Sequence, residues 1–315
     1  MGKTIKIIKR GEEIDNTINA NIVFKEIQRD TIGKSSANPT WGEVYEDEDG
    51  KKIYKGIGLY KEYDYDIPQA ACSEKVWSIL GKNILTDIRV PNIDVVEEQK
   101  GDYGAISYRL LDNDTEDLIH IRDILFHKFE REDLKKKRDM FQIGDILECI
   151  NKQVNNPENY KKIEKNVIQT LLLDSITNNG DRHSNNWALI RNKKTNKYEL
   201  AVYDHASSFV DMFKEKKHFT VRGWVGSYIV TDERQRRCGI GASGEELIRY
   251  ISANYREHFE DFCIQFDANL DKSIDEISKL GLPIDIVRLK NKLNERRRFL
   301  KSLTKTEKGE VEYGE

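Results

Sequence analysis

The sequence predicts an α+β chain built in two parts, strands with a single helix first and mostly helix afterwards. Three observations carry that prediction. At 315 residues the chain is long enough for two domains or lobes of ordinary size. Its apolar spacing changes near residue 115, from short runs separated by turn signals to stripes at helical period. Charged residues reach 34% against 38% hydrophobic, yet 14 Tyr, 11 Phe and 4 Trp supply the apolar surface of a real core, which excludes a wholly disordered chain.

The elements follow in order. Ile5 to Lys55 alternates apolar runs with turns, and WGEVYEDEDGKKIYK reads as a hairpin: Trp41 to Tyr45, an Asp49-Gly50 turn, then Ile53 and Tyr54. QAACSEKVWSILG, with Ala70, Val76, Ile79 and Leu80 at helical spacing, reads as one amphipathic helix closed by Gly81 as its C′ residue. RVPNIDVVEE and YGAISYRLL read as two short strands. Helical text begins with LIHIRDILFHKF and FQIGDILECINKQV and is strongest in YKKIEKNVIQTLLLDSITN. There Ile163, Val167, Leu171, Leu172 and Ile176 predict one buried face. WALIRNKKTNKYELAVYD reads as two strands around the polar turn Asn192 to Lys197, and helices resume at GEELIRYISANYREHFEDF and IDIVRLKNKLNERRRFLKSL. The expected division is 1–113, 114–305 and a frayed tail at 306–315, with the boundary in LDNDTED.

Charge and cysteine usage exclude several classes. Lys and Arg total 52 against 55 Asp and Glu, a formal charge of −3, so no global basic field attracts nucleic acid or a membrane surface. Cys72, Cys149, Cys238 and Cys263 form no CxxC pair and read as free thiols of a reducing cytoplasm. The start MGKTIKIIKRGEE lacks the apolar stretch of a signal peptide, and no run of about 18 apolar residues occurs, so a soluble, unexported protein is expected. The six histidines show no HExxH or similar ligand spacing.

The most informative text is NNGDRHSNNWALIRNKKTNKYELAVYDHASS. Asp181 stands just beyond the buried helix, Asn186 five residues later, and Asp204 after both short strands. A lone Asp or Asn in such text usually makes only local turn bonds. Transfer of a γ-phosphoryl group, however, needs one carboxylate to receive or orient the acceptor proton, and a second carboxylate and an amide to hold magnesium against the phosphates. Asp181, Asn186 and Asp204 supply those types with the required hairpin between them, the arrangement of a protein-kinase-like active site.

These residues resemble a known family. DRHSNN followed by YDHASS looks like the HipA-type and CtkA-like bacterial serine/threonine kinases, and DRHxxN is shared with the phosphoinositide kinases. GKSSANPTWGEVYEDEDGKKIYK is similar to the family's nucleotide loop, hairpin and lysine strand, and YGAISYRLLDNDTEDLIHIRDIL to its strand and lobe connector. The resemblance covers about residues 30 to 210. It implies a two-lobed protein-kinase-like fold using ATP and Mg2+, with Asp181 as catalytic base, Arg182 and His183 bracing the loop, and Asn186 and Asp204 as metal ligands. It further implies a protein substrate from the translation machinery and an antitoxin protein as a partner.

The nucleotide lysine should lie on the strand after the hairpin, where Lys55 fits the family text and Lys61 is the alternative. The family pairs it with a Glu early in the single helix; counted back from Gly81 that place falls near Gln69, so either Gln69 substitutes or a longer helix lets Glu74 serve. TIGKSSAN is not a Walker A motif, whose first glycine would fall at Gln28. As a kinase-style loop, Gly33, Lys34, Ser35 and Ser36 bring backbone N–H groups to phosphates. The resemblance makes Ser35 and Ser36 candidates for autophosphorylation. Arg234, Arg236 and Arg237 follow Asp204 at a distance suited to substrate contact, though such mixed-charge text is usually a solvated face. Two other readings compete: a small-molecule or lipid kinase, and a weakly active nucleotide-binding scaffold. Asn179-Gly180-Asp181, where aminoglycoside kinases have His-Gly-Asp, opposes the aminoglycoside form of the first, and the intact Asp181, Asn186 and Asp204 oppose the second.

Overall fold

The computed structural model describes residues 3–13, 20–29, 39–49, 51–63, 68–99, 102–112, 114–128, 141–209, 212–213 and 241–305. Six strands of the first part close into a barrel: β1 (Lys3–Ile8), β2 (Ile22–Arg29), β3 (Thr40–Glu48), β4 (Lys51–Glu62), β6 (Ile93–Gln99) and β7 (Asp102–Tyr108), in the order β1-β2-β3-β4-β7-β6. β1 runs parallel to both its neighbours and the other pairs are antiparallel. Closure leaves no unpaired edge. Ile5, Ile22, Phe24, Val44, Tyr60, Val96 and Ile106 fill the interior. Gly42 is required there, because a Cβ at that position would lie 2.5 Å from the Phe24 ring and 2.6 Å from the Lys25 carbonyl.

The expected hairpin is β3 and β4, with Asp49 at φ +54° in its turn. Along β4 the register slips from Val44↔Gly56 to Tyr45↔Tyr54, leaving Lys55 as the extra residue of a bulge. Beyond it, alternation turns Tyr60 into the barrel and the next side chain, Lys61, to the opposite face.

Helix α1 (Pro68–Ile84) packs against β6 and β7, where Ala71 meets Ile93 and Ala105. It runs three residues past Gly81, which is therefore not its C′ residue; a Cβ there would lie 2.6 Å from the Trp77 ring, so the glycine makes room for that ring. The opposite face of α1, with Val76, Trp77, Leu80 and Ile84, belongs to the large core of the second part. Asn83 Nδ2 donates to Ser273 Oγ at 3.2 Å, tying α1 to a C-terminal helix.

A second sheet has the order β5-β10-β9-β8, formed by β5 (Ile88–Arg89), β8 (Glu116–His120), β9 (Trp187–Asn192) and β10 (Tyr198–Val202). Two expectations change here. Leu118 to His120 are strand, paired Ile119↔Leu189 and His120↔Ala188, and helical structure begins only after them, with a π-helix at Asp123–Lys128. The two expected strands around Asn192 to Lys197 are the centre of a four-stranded sheet that also recruits β5 from before residue 113. A short apolar run fits either period, and its partner strand decides.

The helices are α2 (Ile143–Val154), α3 (Pro157–Ile176), α4 (Gly244–Asn254), α5 (Arg256–Ser278) and α6 (Ile286–Lys305). GEELIRYISANYREHFEDF breaks at Tyr255 into α4 and the start of α5. α3 begins with Pro157 after Asn156, whose side chain accepts from Asn159 N at 2.9 Å. From Asn166 to Ile176 α3 is buried all round, rather than on one face, because α2, α4, α5 and β10 pack against it. Cys72, Cys149 and Cys263 are free thiols, and burial pushes the Cys263 thiol up to about 12. Cys238 lies outside the described residues, as do 306–315.

Candidate active site

α3 fixes the site by placing a carboxylate, Asp174, inside its own buried surround. Burying that charge is costly unless it is paired and fully hydrogen-bonded. Arg182, 1% exposed, satisfies it with Nε to Oδ2 at 2.7 Å and Nη2 to Oδ1 at 3.1 Å. Trp77 Nε1 of α1 and Asn179 Nδ2 also donate to Oδ1, at 3.1 and 2.8 Å. The remaining Arg182 protons reach the Asn186 carbonyl at 2.6 Å, the Tyr203 carbonyl at 2.9 Å and His205 Nδ1 at 2.8 Å. One planar guanidinium thereby sets the spacing between the turn after α3 and the end of β10.

The residues expected to act stand on those two segments. Asp181 opens the turn, and Asn186 Nδ2 donates to the Asp181 carbonyl at 2.7 Å, which leaves the amide oxygen as the end a cation would use. His183 holds the loop: its Nδ1 accepts from Asn185 N at 3.2 Å and its Nε2 lies 4.0 Å from Asp181 Oδ1. Burial raises the Asp181 carboxyl above its ordinary value, and the nearby Asp204 charge adds to this against the pull of His183, Arg182 and Lys61. Asp204 follows β10 at φ +59°, an uncommon conformation for a residue with a side chain, held by the bonds of its neighbours Tyr203 and His205.

Lys61 joins the barrel to this centre. Its ammonium lies 3.4 Å from Glu74 Oε1 on α1 and 3.0 Å from Asp204 Oδ1. Burial works against the charged ammonium, but Glu74 and Asp204 outweigh it and leave Lys61 above its ordinary value. Glu74 is buried, which raises its carboxyl despite Lys61; it also accepts from Tyr63 Oη at 3.1 Å and from the His205 backbone N at 3.0 Å. Lys61, rather than the Lys55 that fits the family text, stands beside Glu74 and Asp204. Lys55 is engaged by Glu46 at 3.2 Å and Glu48 at 3.7 Å, six residues before Lys61 and about 20 Å away along an extended strand. The longer α1 brings Glu74, not Gln69, to the lysine, because the helix ends at Ile84 and not at Gly81.

Gly33, Lys34, Ser35 and Ser36 lie outside the described residues, as do Arg234, Arg236 and Arg237. Sequence reading missed the supporting residues. Trp77 stacks on His205 with ring centroids 3.6 Å apart and planes at 5°, and Asp174 anchors both Trp77 and Arg182. An Asp within the apolar stripe of α3 was the available signal. Tyr203 Oη and His120 Nδ1 are hydrogen-bonded at 2.7 Å, linking β8 to the residue before Asp204.

No group of three His, Cys, Asp or Glu suited to a metal occurs among the described residues. The Asn186 amide and the Asp204 carboxylate form a sparser set of hard oxygens, which fits a magnesium ion that keeps waters and substrate phosphates as its other ligands.

No protein-family model matches the sequence, and none of the curated proteins matches it. Among solved structures it matches the crystal structure of a Helicobacter pylori proinflammatory kinase, CtkA, with a TM-score of 0.62 at 12% identity, over 91% of this chain and 97% of that one. It also matches a Shewanella oneidensis MR-1 toxin antitoxin system of HipA, HipB and operator DNA, with a TM-score of 0.56 at 14% identity, over 90% of this chain and 68% of that chain. The chain has the fold of CtkA and HipA. At these identities the likeness is one of fold, a β-rich N-terminal region followed by a helical one.

Proposed function

We propose that the protein is an ATP- and Mg2+-dependent phosphotransferase acting on a serine or threonine hydroxyl of a protein, with a nucleotide-binding N-lobe at 1–113 and a catalytic C-lobe at 114–305. The observation that carries this reading is Lys61, held between Glu74 on α1 and Asp204 after β10. A lysine in that position meets the phosphates as a point charge while Glu74 fixes its reach. Asn186 and Asp204 would hold magnesium, which neutralises charge on the phosphate oxygens when bound. Asp181 accepts the proton of the attacking hydroxyl, and Arg182 and His183 keep its loop in place. Glu74 beside Lys61 favours an active enzyme over a nucleotide-binding scaffold. Ser35 or Ser36 is the proposed autophosphorylation site, and an antitoxin protein the proposed partner of a cytoplasmic toxin whose substrate is a component of translation.

Asp181→Ala is expected to abolish transfer while leaving magnesium-dependent ATP binding within about twofold, whereas Asp204→Ala weakens that binding itself by about tenfold or more. Calorimetric titration of both variants tests the division of roles; equal loss of binding in the two would contradict it. Asp181 acts deprotonated and its carboxyl is raised by burial. The acid limb of kcat/KM should therefore fall at a pH above the ordinary aspartate value, with activity lost as the pH drops through it. A limb at or below that ordinary value would separate Asp181 from the proton transfer.

A further inference from the structure

A cleft of about 500 Å³ is lined by residues of β1, β3, the bulged part of β4, the start of β6, the end of β7 and α1. None of Lys61, Glu74, Asp181, Asn186 or Asp204 lines it. Its walls carry four cations, Lys3, Lys55, Lys75 and Arg109, against two carboxylates, Glu46 and Asp94. The carboxylates are already engaged: Glu46 by Lys3 at 2.8 Å and Lys55 at 3.2 Å, and Asp94 by Lys3 at 3.3 Å and the Tyr108 hydroxyl at 3.0 Å. Lys75 and Arg109 are left over. Among the described residues neither has a carboxylate at ion-pair distance, and the Lys75 ammonium donates instead to the Ile93 carbonyl at 2.5 Å. Burial pulls the Lys75 ammonium below its ordinary value, and Lys3 adds to this against the pull of Asp94 and Glu276.

Two surplus cations beside a concave, mostly polar wall suit a compact, multiply charged oxyanion, since charge-assisted bonds to phosphate are the strong ones such groups make. We propose that this cleft binds a phosphoryl group, with Arg109 and Lys75 as its ligands. The group is either that of a free small molecule or a phosphorylated side chain on a polypeptide. Lys75 follows Glu74 directly on α1, so an occupant grips the helix that carries the active-site carboxylate. The proposal stands apart from the phosphotransferase reading, because its site and its test use none of those residues.

The test is calorimetric titration of the full chain, without divalent metal, with inorganic pyrophosphate and separately with a phosphoserine peptide and its unphosphorylated counterpart. Saturable binding of a phosphorylated probe is expected, weakened about tenfold by Arg109→Ser and by Lys75→Gln. Tighter binding of pyrophosphate assigns a small-molecule source; tighter binding of the phosphopeptide over both others assigns a polypeptide. Arg109 is exposed, so its variant carries the test if Lys75→Gln fails to fold. Absence of binding by both phosphorylated probes, or affinity unchanged in Arg109→Ser, overturns the proposal.

Discussion

Lys61→Met is expected to lower kcat/KM for phosphoryl transfer by about 10²- to 10³-fold, the usual loss when a preorganised charge is removed from a developing anion. Its effect on stability should be smaller than that of breaking most buried ion pairs, about 3–5 kcal/mol. Glu74 keeps Tyr63 Oη and the His205 backbone N as donors, and its carboxyl is already raised by burial, so it can take up a proton when Lys61 is gone. Steady-state kinetics with urea denaturation checks both parts. Lys55→Met provides the contrast, with activity within about twofold of the parent, since Lys55 is paired on the hairpin with Glu46 and Glu48. A large loss in Lys55→Met and none in Lys61→Met would return the role to Lys55.

Asp174→Ala should be the most destabilising single change, about 3–5 kcal/mol, because it strands the buried Arg182 guanidinium and removes the acceptor of Trp77 Nε1 and Asn179 Nδ2. The midpoint of urea denaturation reads this directly. Arg182→Met in the same background should recover part of the loss, since removing both charges is less costly than removing one. A midpoint within experimental scatter of the parent would mean that Arg182 finds other partners.

The candidate site was legible because Asp181, Asn186 and Asp204 are close in sequence and the two strands that separate Asn186 from Asp204 have clear β-formers around a polar turn. The barrel's closure was not, since parallel pairing of β1 with β2 and β6 leaves no mark on any single strand. That Lys61 rather than Lys55 meets Glu74 was hidden for a local reason. Gly81 looks like a helix terminator in sequence, but inside α1 it makes room for the Trp77 ring, and with the three residues beyond it the helix presents Glu74, not Gln69, to Lys61. His205 and Trp77 were legible only as residue types; their stacking depends on α1 crossing the end of β10, a tertiary fact.

The central claim is that Asp181, aligned by Arg182 with the Asn186 and Asp204 ligand pair, delivers a phosphoryl group to a protein hydroxyl. Incubation of the parent and Asp181→Ala proteins with magnesium and γ-labelled ATP, followed by intact mass and peptide mapping, tests it most directly. The account predicts label on the parent, mapped to Ser35 or Ser36, and none on the variant. An unlabelled parent that still binds ATP in a magnesium-dependent way, or equal labelling of both proteins, would contradict it.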